Sequence, residues 1–246
     1  MNSLSVRLPQ GWDWLHTKPV DVLALQETKT QDHEFPQAEI ENAGYQVVYS
    51  GQKTYNGVAI LSKTAPTDVV TDIADLDDPQ RRILAATVDD TRVINLYVVN
   101  GSEVGSEKFA YKLEWLNKVT VFIEQELRQH KKLVVLGDFN IAPDDRDVHD
   151  PEAWRGKILC SDEERTALRT ITELGLQDTF RCFQQDDKLF SWWDYRGGGF
   201  RRNHGLRIDL ILASESLIKT CKASSIDKTP RAWERPSDHT PVVAEF

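Results

Sequence analysis

Leu133-Val-Val-Leu-Gly-Asp-Phe-Asn140 is an apolar run that ends abruptly in a polar turn. Short continuous apolar runs bounded by a turn are typical of strands that are covered on both faces. Gly137 allows the backbone to turn sharply, and Asn140 can place its amide on the same side as the carboxylate of Asp138. The segment therefore predicts a buried strand that delivers polar side chains to one end of a sheet.

Three further polar groups stand at the ends of apolar runs. Glu27 follows an early run, Asp209 begins a later one, and Asp238 and His239 precede the last. Carboxylates gathered at one rim suit a hard divalent cation, and an aspartate can hold an imidazole through its second nitrogen. Each group taken alone also fits an ordinary turn or a surface ion pair. Their occurrence together favours one carboxylate-rich site.

The rest of the pattern predicts one domain, spanning residues 1–246, of two packed sheets with helices outside. Helices are predicted at 35–43, 109–130 and 162–174. Further strands are predicted at 22–25, 47–49, 58–61, 83–86, 93–99, 208–212 and 241–246. The long irregular stretches at 137–160 and 184–207 are rich in aromatic residues, which favours ordered, functional loops.

Composition excludes several classes of protein. No apolar run approaches the roughly 20 residues of a membrane span, and residues 1–10 lack the apolar segment of a signal peptide. Cys160, Cys182 and Cys221 fit neither a zinc spacing nor a disulfide framework, which predicts a structural role in a reducing cytoplasm. The net charge of −9 argues against a purely electrostatic nucleic-acid binder, although Arg196–Arg207 contains no acidic residue and could form a basic surface.

A series of motifs occurs in one order along nearly the whole chain. They are Leu25-Gln-Glu-Thr28, Ser50-Gly-Gln-Lys-Thr-Tyr-Asn-Gly-Val-Ala59, Pro79-Gln-Arg-Arg-Ile83, Val93-Ile-Asn-Leu-Tyr97, Leu136-Gly-Asp-Phe-Asn-Ile-Ala-Pro143, Phe190-Ser-Trp-Trp-Asp-Tyr-Arg196, Gly205-Leu-Arg-Ile-Asp209 and Arg235-Pro-Ser-Asp-His-Thr-Pro-Val242. In these motifs the chain resembles the exonuclease III and apurinic/apyrimidinic endonuclease family, and bacterial exonuclease III in particular. The resemblance implies an α/β (α+β) fold, a four-layer αββα sandwich of two packed mixed sheets flanked by helices.

The resemblance also implies roles for individual residues. Catalytic roles fall on Tyr97, Asp138, Asn140, Asp209 and His239. The ligands of a metal ion, Mg²⁺ or alternatively Mn²⁺, fall on Glu27, Asp138, Asn140, Asp238 and His239. DNA contacts fall on Lys53, Tyr55, Arg81, Trp192, Arg196 and Leu206. Trp192 and Leu206 would line the pocket for an extrahelical abasic sugar, Asp209 would orient His239, and Asp138 would serve as general base or general acid.

The function implied is that of a Mg²⁺-dependent DNA-repair phosphodiesterase. Such an enzyme cleaves DNA 5′ to abasic sites and removes 3′-terminal nucleotides or 3′ blocking groups, leaving a 3′-OH. It would act on double-stranded DNA as a monomer in the bacterial cytoplasm, without contact to a membrane. Two alternatives stay open: another phosphohydrolase of the same superfamily, acting on phospholipids or inositol phosphates, and a truncated DNA-binding remnant with weak or no activity.

The start of the chain departs from the family pattern. The family begins with a strand that ends in Asn-x-Asn, whose first asparagine helps to bind the metal, but here Met1 falls at the x position and Asn2 at the second asparagine. The first strand is therefore expected to be missing, either because the start codon is set too late or because the protein is truncated. A second departure, Val99-Asn100-Gly101 in place of Pro-Gln-Gly, predicts altered substrate contacts.

Overall fold

The structure is a computed structural model that describes residues 3–74 and 76–246. Helices α1 to α7 span Leu4–Thr17, Gln37–Asn42, Glu107–Gln129, Pro151–Trp154, Asp162–Glu173, Gly199–Arg202 and Glu215–Ile218. Strands β1 to β13 span Val22–Gln26, Gln46–Ser50, Val58–Ser62, Thr67–Val70, Ile83–Val88, Thr91–Tyr97, Leu133–Asp138, Leu176–Asp178, Trp192–Trp193, Gly205–Leu206, Asp209–Ser214, Ala223–Ile226 and Val242–Glu245. Within the described residues, no helix has the length and apolarity needed to cross a membrane. Met1 and Asn2, where the sequence departs from the family pattern, lie outside the described residues.

The strands form two layers, apart from β9 and β10, which pair with each other. One layer is a six-stranded mixed sheet in the order β4-β5-β6-β7-β11-β8, in which only β6 and β7 run parallel. The other layer holds the antiparallel sheet β1-β3-β2 and, beside it, the antiparallel pair β12-β13. Val243 of β13 packs against the same apolar cluster as β1 and β3, which places this pair in the second layer.

The two layers bury one apolar cluster between them. Val58 and Ile60 of β3 meet Leu84 of β5, Val93 of β6 and Val134 of β7. Strands in this position are covered on both faces, which explains their continuous apolar runs. Polar side chains bridge the sheets at Asn95: its amide donates to the carbonyl oxygens of Leu25 and Ala59, each at 3.0 Å, and its Oδ1 accepts from Gln26 at 2.7 Å. This satisfied polar contact fixes how the two sheets are aligned.

Helices cover the outer face of each sheet. Trp115 and Leu116 of α3, with Leu168 of α5, pack against the six-stranded sheet. Leu8 of α1 and Ile40 of α2 pack against the second layer. The order of layers is therefore helix, sheet, sheet, helix, which confirms the four-layer sandwich predicted from the sequence.

Most predicted elements are present, but α1 was missed. The predicted helices correspond to α2, α3 and α5, with shifts of one or two residues at most ends. Helix α1 carries Pro9 and Gly11, which weaken a helix in isolation. It forms because Leu4, Leu8 and Trp14 are buried against the second layer, and such tertiary packing overrides local propensity.

A groove separates β1 from β13. Among the described residues, β1 pairs in a sheet only with β3, and β13 only with β12. A cavity of about 870 Å³ lies between the two strands, is lined by the full length of both, and has Val93, Val134 and Leu136 of the larger sheet among its walls. The backbone N–H of Ser3 donates to the carbonyl of Glu27 at 2.8 Å, so the described chain enters α1 at one end of this groove. The absence of a first strand stays a prediction, and this groove is where such a strand would lie.

Asp227 joins α1 to the C-terminal part of the chain. Its carboxylate accepts hydrogen bonds from the Trp14 indole at 2.9 Å and the Thr229 amide at 3.0 Å, and pairs with Lys18 at 3.0 Å. Burial by itself raises the pKa of Asp227, but the donors from Trp14, Thr229 and Lys18 outweigh it and hold the pKa at about 2. The buried carboxylate is therefore stabilised in its ionised form.

We expect Asp227→Ala to lower the free energy of unfolding by about 2 kcal/mol at pH 7, because it leaves two donors of the folded chain without their acceptor. The folded-state pKa lies below the value of about 3.9 for an unfolded aspartate. The stabilisation is therefore complete above pH 4 and is lost as the pH falls towards 2. Urea unfolding at pH 7 and pH 3 measures both effects. Asp21→Ala, which removes an exposed partner of Lys63, is the control and should change little; an equal loss at both pH values for Asp227→Ala would contradict the assignment.

Candidate active site

Three strand ends bring the predicted catalytic residues together. Tyr97 at the end of β6 is in register with Asp138 at the end of the parallel strand β7. Asp209 begins the antiparallel strand β11 and lies opposite the same Asp138. Because parallel strands end at the same edge of a sheet, and an antiparallel neighbour begins there, residues distant in sequence become neighbours in space.

His239 lies between the two aspartates. Its Nδ1 is 2.9 Å and 3.1 Å from the two carboxylate oxygens of Asp209, and its Nε2 is 3.7 Å from Asp138 Oδ2. Burial alone would lower the pKa of His239, but the carboxylates of Asp209 and Asp138 outweigh it and raise the pKa to about 10. The imidazole is therefore protonated at neutral pH, and its Nδ1–H donates to the Asp209 carboxylate.

Asp138 is buried and receives two hydrogen bonds from Asn140. The backbone N–H of Asn140 donates to Oδ1 at 2.9 Å, and its side-chain amide donates to Oδ2 at 3.1 Å. Burial raises the pKa of Asp138 to about 7; His239 opposes this shift, whereas Asp209 and Glu27 add to it. The carboxyl group can thus gain or lose a proton near neutral pH, which general acid or base catalysis requires.

The amide of Asn140 is itself fixed in orientation. Its NH₂ group also donates to the carbonyl of Val98 at 3.0 Å, and its Oδ1 accepts from the side chain of Asn100 at 3.2 Å. Asn140 has a φ of +48°, a left-handed conformation that asparagine tolerates better than most residues. Asn100 entered the sequence analysis only as a departure from the family pattern, and its contact with Asn140 was not predicted.

Tyr97 and Glu27 form the other wall of the site. The Tyr97 hydroxyl donates a short hydrogen bond to Glu27 Oε1, and Lys29 Nζ lies 3.6 Å from Oε2 of the same carboxylate. The guanidinium of Arg82 stands 4.6 Å from the centre of the Tyr97 ring. Burial, and then the charge of Glu27, raise the pKa of Tyr97 far above its ordinary value. Tyr97 therefore stays protonated at neutral pH, and its hydroxyl keeps a proton that it can donate in a hydrogen bond.

Asp238 lies on the side of the site that faces β9 and the two residues after it. Its Oδ2 accepts from the Trp192 indole at 3.2 Å, and its Oδ1 is 3.5 Å from the Tyr195 hydroxyl. Asp238 also adds to the raised pKa of His239, so its charge reaches the centre of the site. Tyr195, whose hydroxyl donates to the Pro236 carbonyl at 2.9 Å, is half exposed and was not predicted as a site residue. Its place beside Trp192 in an aromatic motif was the available signal.

The donor set fits a hard divalent cation. Among the described residues, ligand atoms of Asp138, Asp209 and His239 all lie within 4.8 Å of one another. The charges of Asp209 and Glu27 both raise the pKa of Asp138, so several carboxylates crowd one small volume. A bound cation would relieve that repulsion, and carboxylate oxygens are the ligands that such ions prefer. His239 Nδ1 is occupied by Asp209, which leaves the carboxylates as the principal donors.

The predicted DNA-contacting residues differ in exposure. Lys53 and Tyr55 are exposed, and Trp192 is half buried. Arg81 and Arg196 lie at the surface, where they pair with Asp72 at 3.0 Å and Asp194 at 3.1 Å respectively. A phosphate could compete for either guanidinium, because exposed ion pairs are weak.

Two predictions for this surface are wrong. Leu206 is 0% exposed and packs with Val148 and Ile208, so it cannot touch DNA in this conformation. Arg207, assigned to the basic surface, is buried and pairs with Asp147 at 2.6 Å and Asp178 at 2.7 Å. A sequence pattern gives the charge of an arginine but not the acidic partners that the fold brings to it.

A protonated histidine held by an aspartate, beside crowded carboxylates at the strand ends of a two-sheet sandwich, defines a metal-dependent phosphoester hydrolase. The sequence model of the Endonuclease/Exonuclease/phosphatase family matches residues 12–239. The chain therefore belongs to this family.

Relatives and solved structures agree with that assignment. The chain is 38% identical over 240 residues to the exodeoxyribonuclease III of Haemophilus influenzae, covering 92% of this chain and 90% of that protein. It is 50% identical to a 3′-5′ exonuclease from Neisseria meningitidis, with a TM-score of 0.98 over 100% of this chain and 96% of the other. An AP endonuclease from Archaeoglobus fulgidus is 37% identical, with a TM-score of 0.95 and the same coverage of both chains.

Proposed function

We propose that this protein is a Mg²⁺-dependent DNA-repair phosphodiesterase that cleaves 5′ to abasic sites and removes 3′-terminal nucleotides or blocking groups. The observation that carries the proposal is the register of Tyr97 and Asp209 on either side of Asp138, with His239 beside them. This arrangement offers two hydrogen-bond donors and one group that can exchange a proton, all at one point. In-line attack of water on a phosphodiester needs both kinds of group.

The proposed substrate is DNA because similar proteins act on it. The relatives include an exodeoxyribonuclease III and an AP endonuclease, and one solved structure is a 3′ phosphatase bound to a product DNA hairpin. Exposed Lys53, Tyr55 and Arg196 provide contacts to phosphates and bases around the site. All the proposed catalytic residues lie in one chain, which supports a monomer as the active form, and the similarity to bacterial nucleases supports a location in the bacterial cytoplasm.

The chain's own residues have distinct parts in the reaction. Protonated His239 and the hydroxyl of Tyr97 donate hydrogen bonds to the non-bridging oxygens of the phosphate and stabilise the charge that grows there. Asp138, held in place by Asn140, takes a proton from the attacking water or gives one to the leaving oxygen. Glu27 and Asp238 would hold the cation together with Asp138 or Asn140, whereas protonated His239 has no free lone pair for it. When bound, Mg²⁺ would neutralise phosphate charge and act as a Lewis acid.

The purified chain is expected to cleave a duplex with one abasic analogue and to release phosphate from a 3′-phosphorylated duplex when Mg²⁺ is present. EDTA should abolish both reactions, and added Mg²⁺ or Mn²⁺ should restore them, because the carboxylates cannot stabilise phosphate charge by themselves. Gel electrophoresis and phosphate release measure the two products separately. An undamaged blunt duplex serves as the comparison for exonuclease activity, and inositol phosphates as that for another phosphohydrolase. Metal-independent cleavage, or hydrolysis of inositol phosphate alone, would refute the proposal.

A further inference from the structure

A lysine lies fully buried beneath the active site. Lys112 belongs to α3 and is 0% exposed. Its ammonium group donates to the carbonyl oxygens of Asn100 at 3.1 Å and Asn140 at 2.7 Å, and to the carboxylate of Glu164. An ammonium group has three N–H donors, and all three are used here. A charge so deeply buried is costly unless it is paired and hydrogen-bonded, and this site meets both conditions.

Glu164 anchors this lysine to the start of α5. The carboxylate of Glu164, also 0% exposed, accepts from the backbone amides of Leu159 at 3.0 Å and Ser161 at 3.1 Å. It also accepts from the Ser161 hydroxyl at 2.6 Å, and Ser161 caps the helix. With Lys112, this carboxylate has its oxygens fully engaged. The ion pair is therefore fixed between two helices rather than mobile.

The contacts of Lys112 lead directly to the catalytic carboxylate. The two carbonyls that it holds belong to Asn100 and Asn140, and the side chain of Asn100 donates to Asn140 Oδ1 at 3.2 Å. Asn140 in turn donates its backbone and side-chain N–H groups to the two oxygens of Asp138. Gly101 lies close to the lysine stem, since a Cβ at that position would be 3.1 Å from Lys112 Cδ. The backbone at residues 100–101 and the Lys112 side chain thus pack closely against each other.

We propose that Lys112, held by Glu164, is a positioning residue for the hydrolytic reaction. It fixes the backbone at Asn100 and Asn140, so that Asn140 presents both donors to Asp138 in one geometry. A misplacement of about 1 Å at a catalytic group can cost on the order of 10²-fold in rate. The inference rests on the proposed function for its effect on rate, whereas the ordering of the loop that carries Asn140 can be measured without any substrate.

The first test compares Lys112→Met with Arg92→Met. Arg92 is a matched control because it is also buried and paired, with Glu126, but it stands near the start of β6, at the end of that strand remote from Tyr97. We expect Lys112→Met to lower kcat on the abasic duplex by about 10- to 100-fold with little change in KM. Arg92→Met should lower the urea midpoint by a similar amount and leave kcat unchanged. Equal kcat values in the two variants would overturn the proposal.

A double variant separates positioning from stability. Removing one member of a buried ion pair is far more destabilising than removing both charges. Lys112→Met with Glu164→Gln should therefore regain much of the urea midpoint, while kcat stays low because no donor holds the Asn100 and Asn140 carbonyls. Recovery of kcat together with the midpoint would show that Lys112 acts only through stability.

Hydrogen exchange supplies a readout that does not depend on cleavage. The amides of residues 138–141 should exchange at least about tenfold faster in both Lys112 variants than in Arg92→Met, because the segment loses its anchor. If the parent chain cleaves no substrate, the proposed function fails, but this exchange still decides whether Lys112 orders the loop. Exchange as slow as in Arg92→Met would overturn the positioning role.

Discussion

Asp138→Asn is expected to reduce cleavage of an abasic duplex by about 10³-fold or more, within the range that general acid or base groups contribute with their associated charge stabilisation. The substitution keeps the shape of the side chain but removes its capacity to exchange a proton. It also removes one carboxylate from the proposed cation site. Because His239 lies 3.7 Å from Asp138, loss of that charge also weakens the attraction that keeps the imidazole protonated.

Folding should respond to this change much less than catalysis. Burial raises the pKa of Asp138 to about 7, which means that its ionised form is disfavoured in the folded protein. Above that pKa the buried charge therefore costs stability, and a neutral amide removes the cost. At pH 8 we expect the free energy of unfolding of Asp138→Asn to stay close to that of the parent chain, because relief of the buried charge offsets the one Asn140 hydrogen bond that the new NH₂ group cannot accept.

Single-turnover cleavage with Mg²⁺, together with urea unfolding, measures both quantities. Asp90→Asn is the matched control. Asp90 is an exposed carboxylate, and within the described residues it forms an ion pair with Lys132 alone. Its loss should leave cleavage intact. A rate for Asp138→Asn within tenfold of the parent would remove Asp138 from the catalytic centre. A slow variant that is also less stable would point to misfolding instead.

Strand-end positions were the part of the site that sequence could predict. A run such as Leu133–Leu136 must be buried, so the polar residues that follow it must reach an edge of the sheet. That argument predicts Asp138 and Asp209 at one edge of the sheet, and their register places them opposite each other there. Helix α5 was equally predictable, because its capping box is local in sequence. Local rules succeed where the partners lie within a few residues of each other.

Contacts between distant segments were not predictable in the same way. Lys112 lies 52 residues from Glu164, and the local sequence around either residue does not indicate that the two charges are buried together. The predictions that Arg207 and Leu206 contact DNA were wrong for the same reason, since their burial depends on Asp147 and Val148 in another segment. A sequence pattern indicates which face of a strand is apolar, but the identity of what covers it depends on the complete fold.

Filling the groove between β1 and β13 with a strand is expected to have a large effect on stability. Both strands have an edge without a strand partner among the described residues, and the cavity of about 870 Å³ between them has mainly apolar walls. A strand that entered this groove would pair with both edges and bury its inward side chains against Val93 and Val134 of the larger sheet. Ser3 already lies at one end of the groove through its hydrogen bond to Glu27. An extension joined to the N-terminus therefore has a direct path into it.

We expect an N-terminal extension of alternating β-branched residues, with an asparagine directly before Met1 so that Asn-Met1-Asn2 completes the Asn-x-Asn pattern, to raise the free energy of unfolding by about 3 kcal/mol or more. Burial of two apolar side chains alone supplies this amount at about 1.5 kcal/mol each. The added asparagine should also tighten Mg²⁺ binding, because it reaches the site beside Glu27. Urea unfolding and the Mg²⁺ dependence of cleavage measure the two effects, with a Gly/Ser extension of equal length as the control. If both extensions leave stability and Mg²⁺ dependence unchanged, the groove is not a strand site.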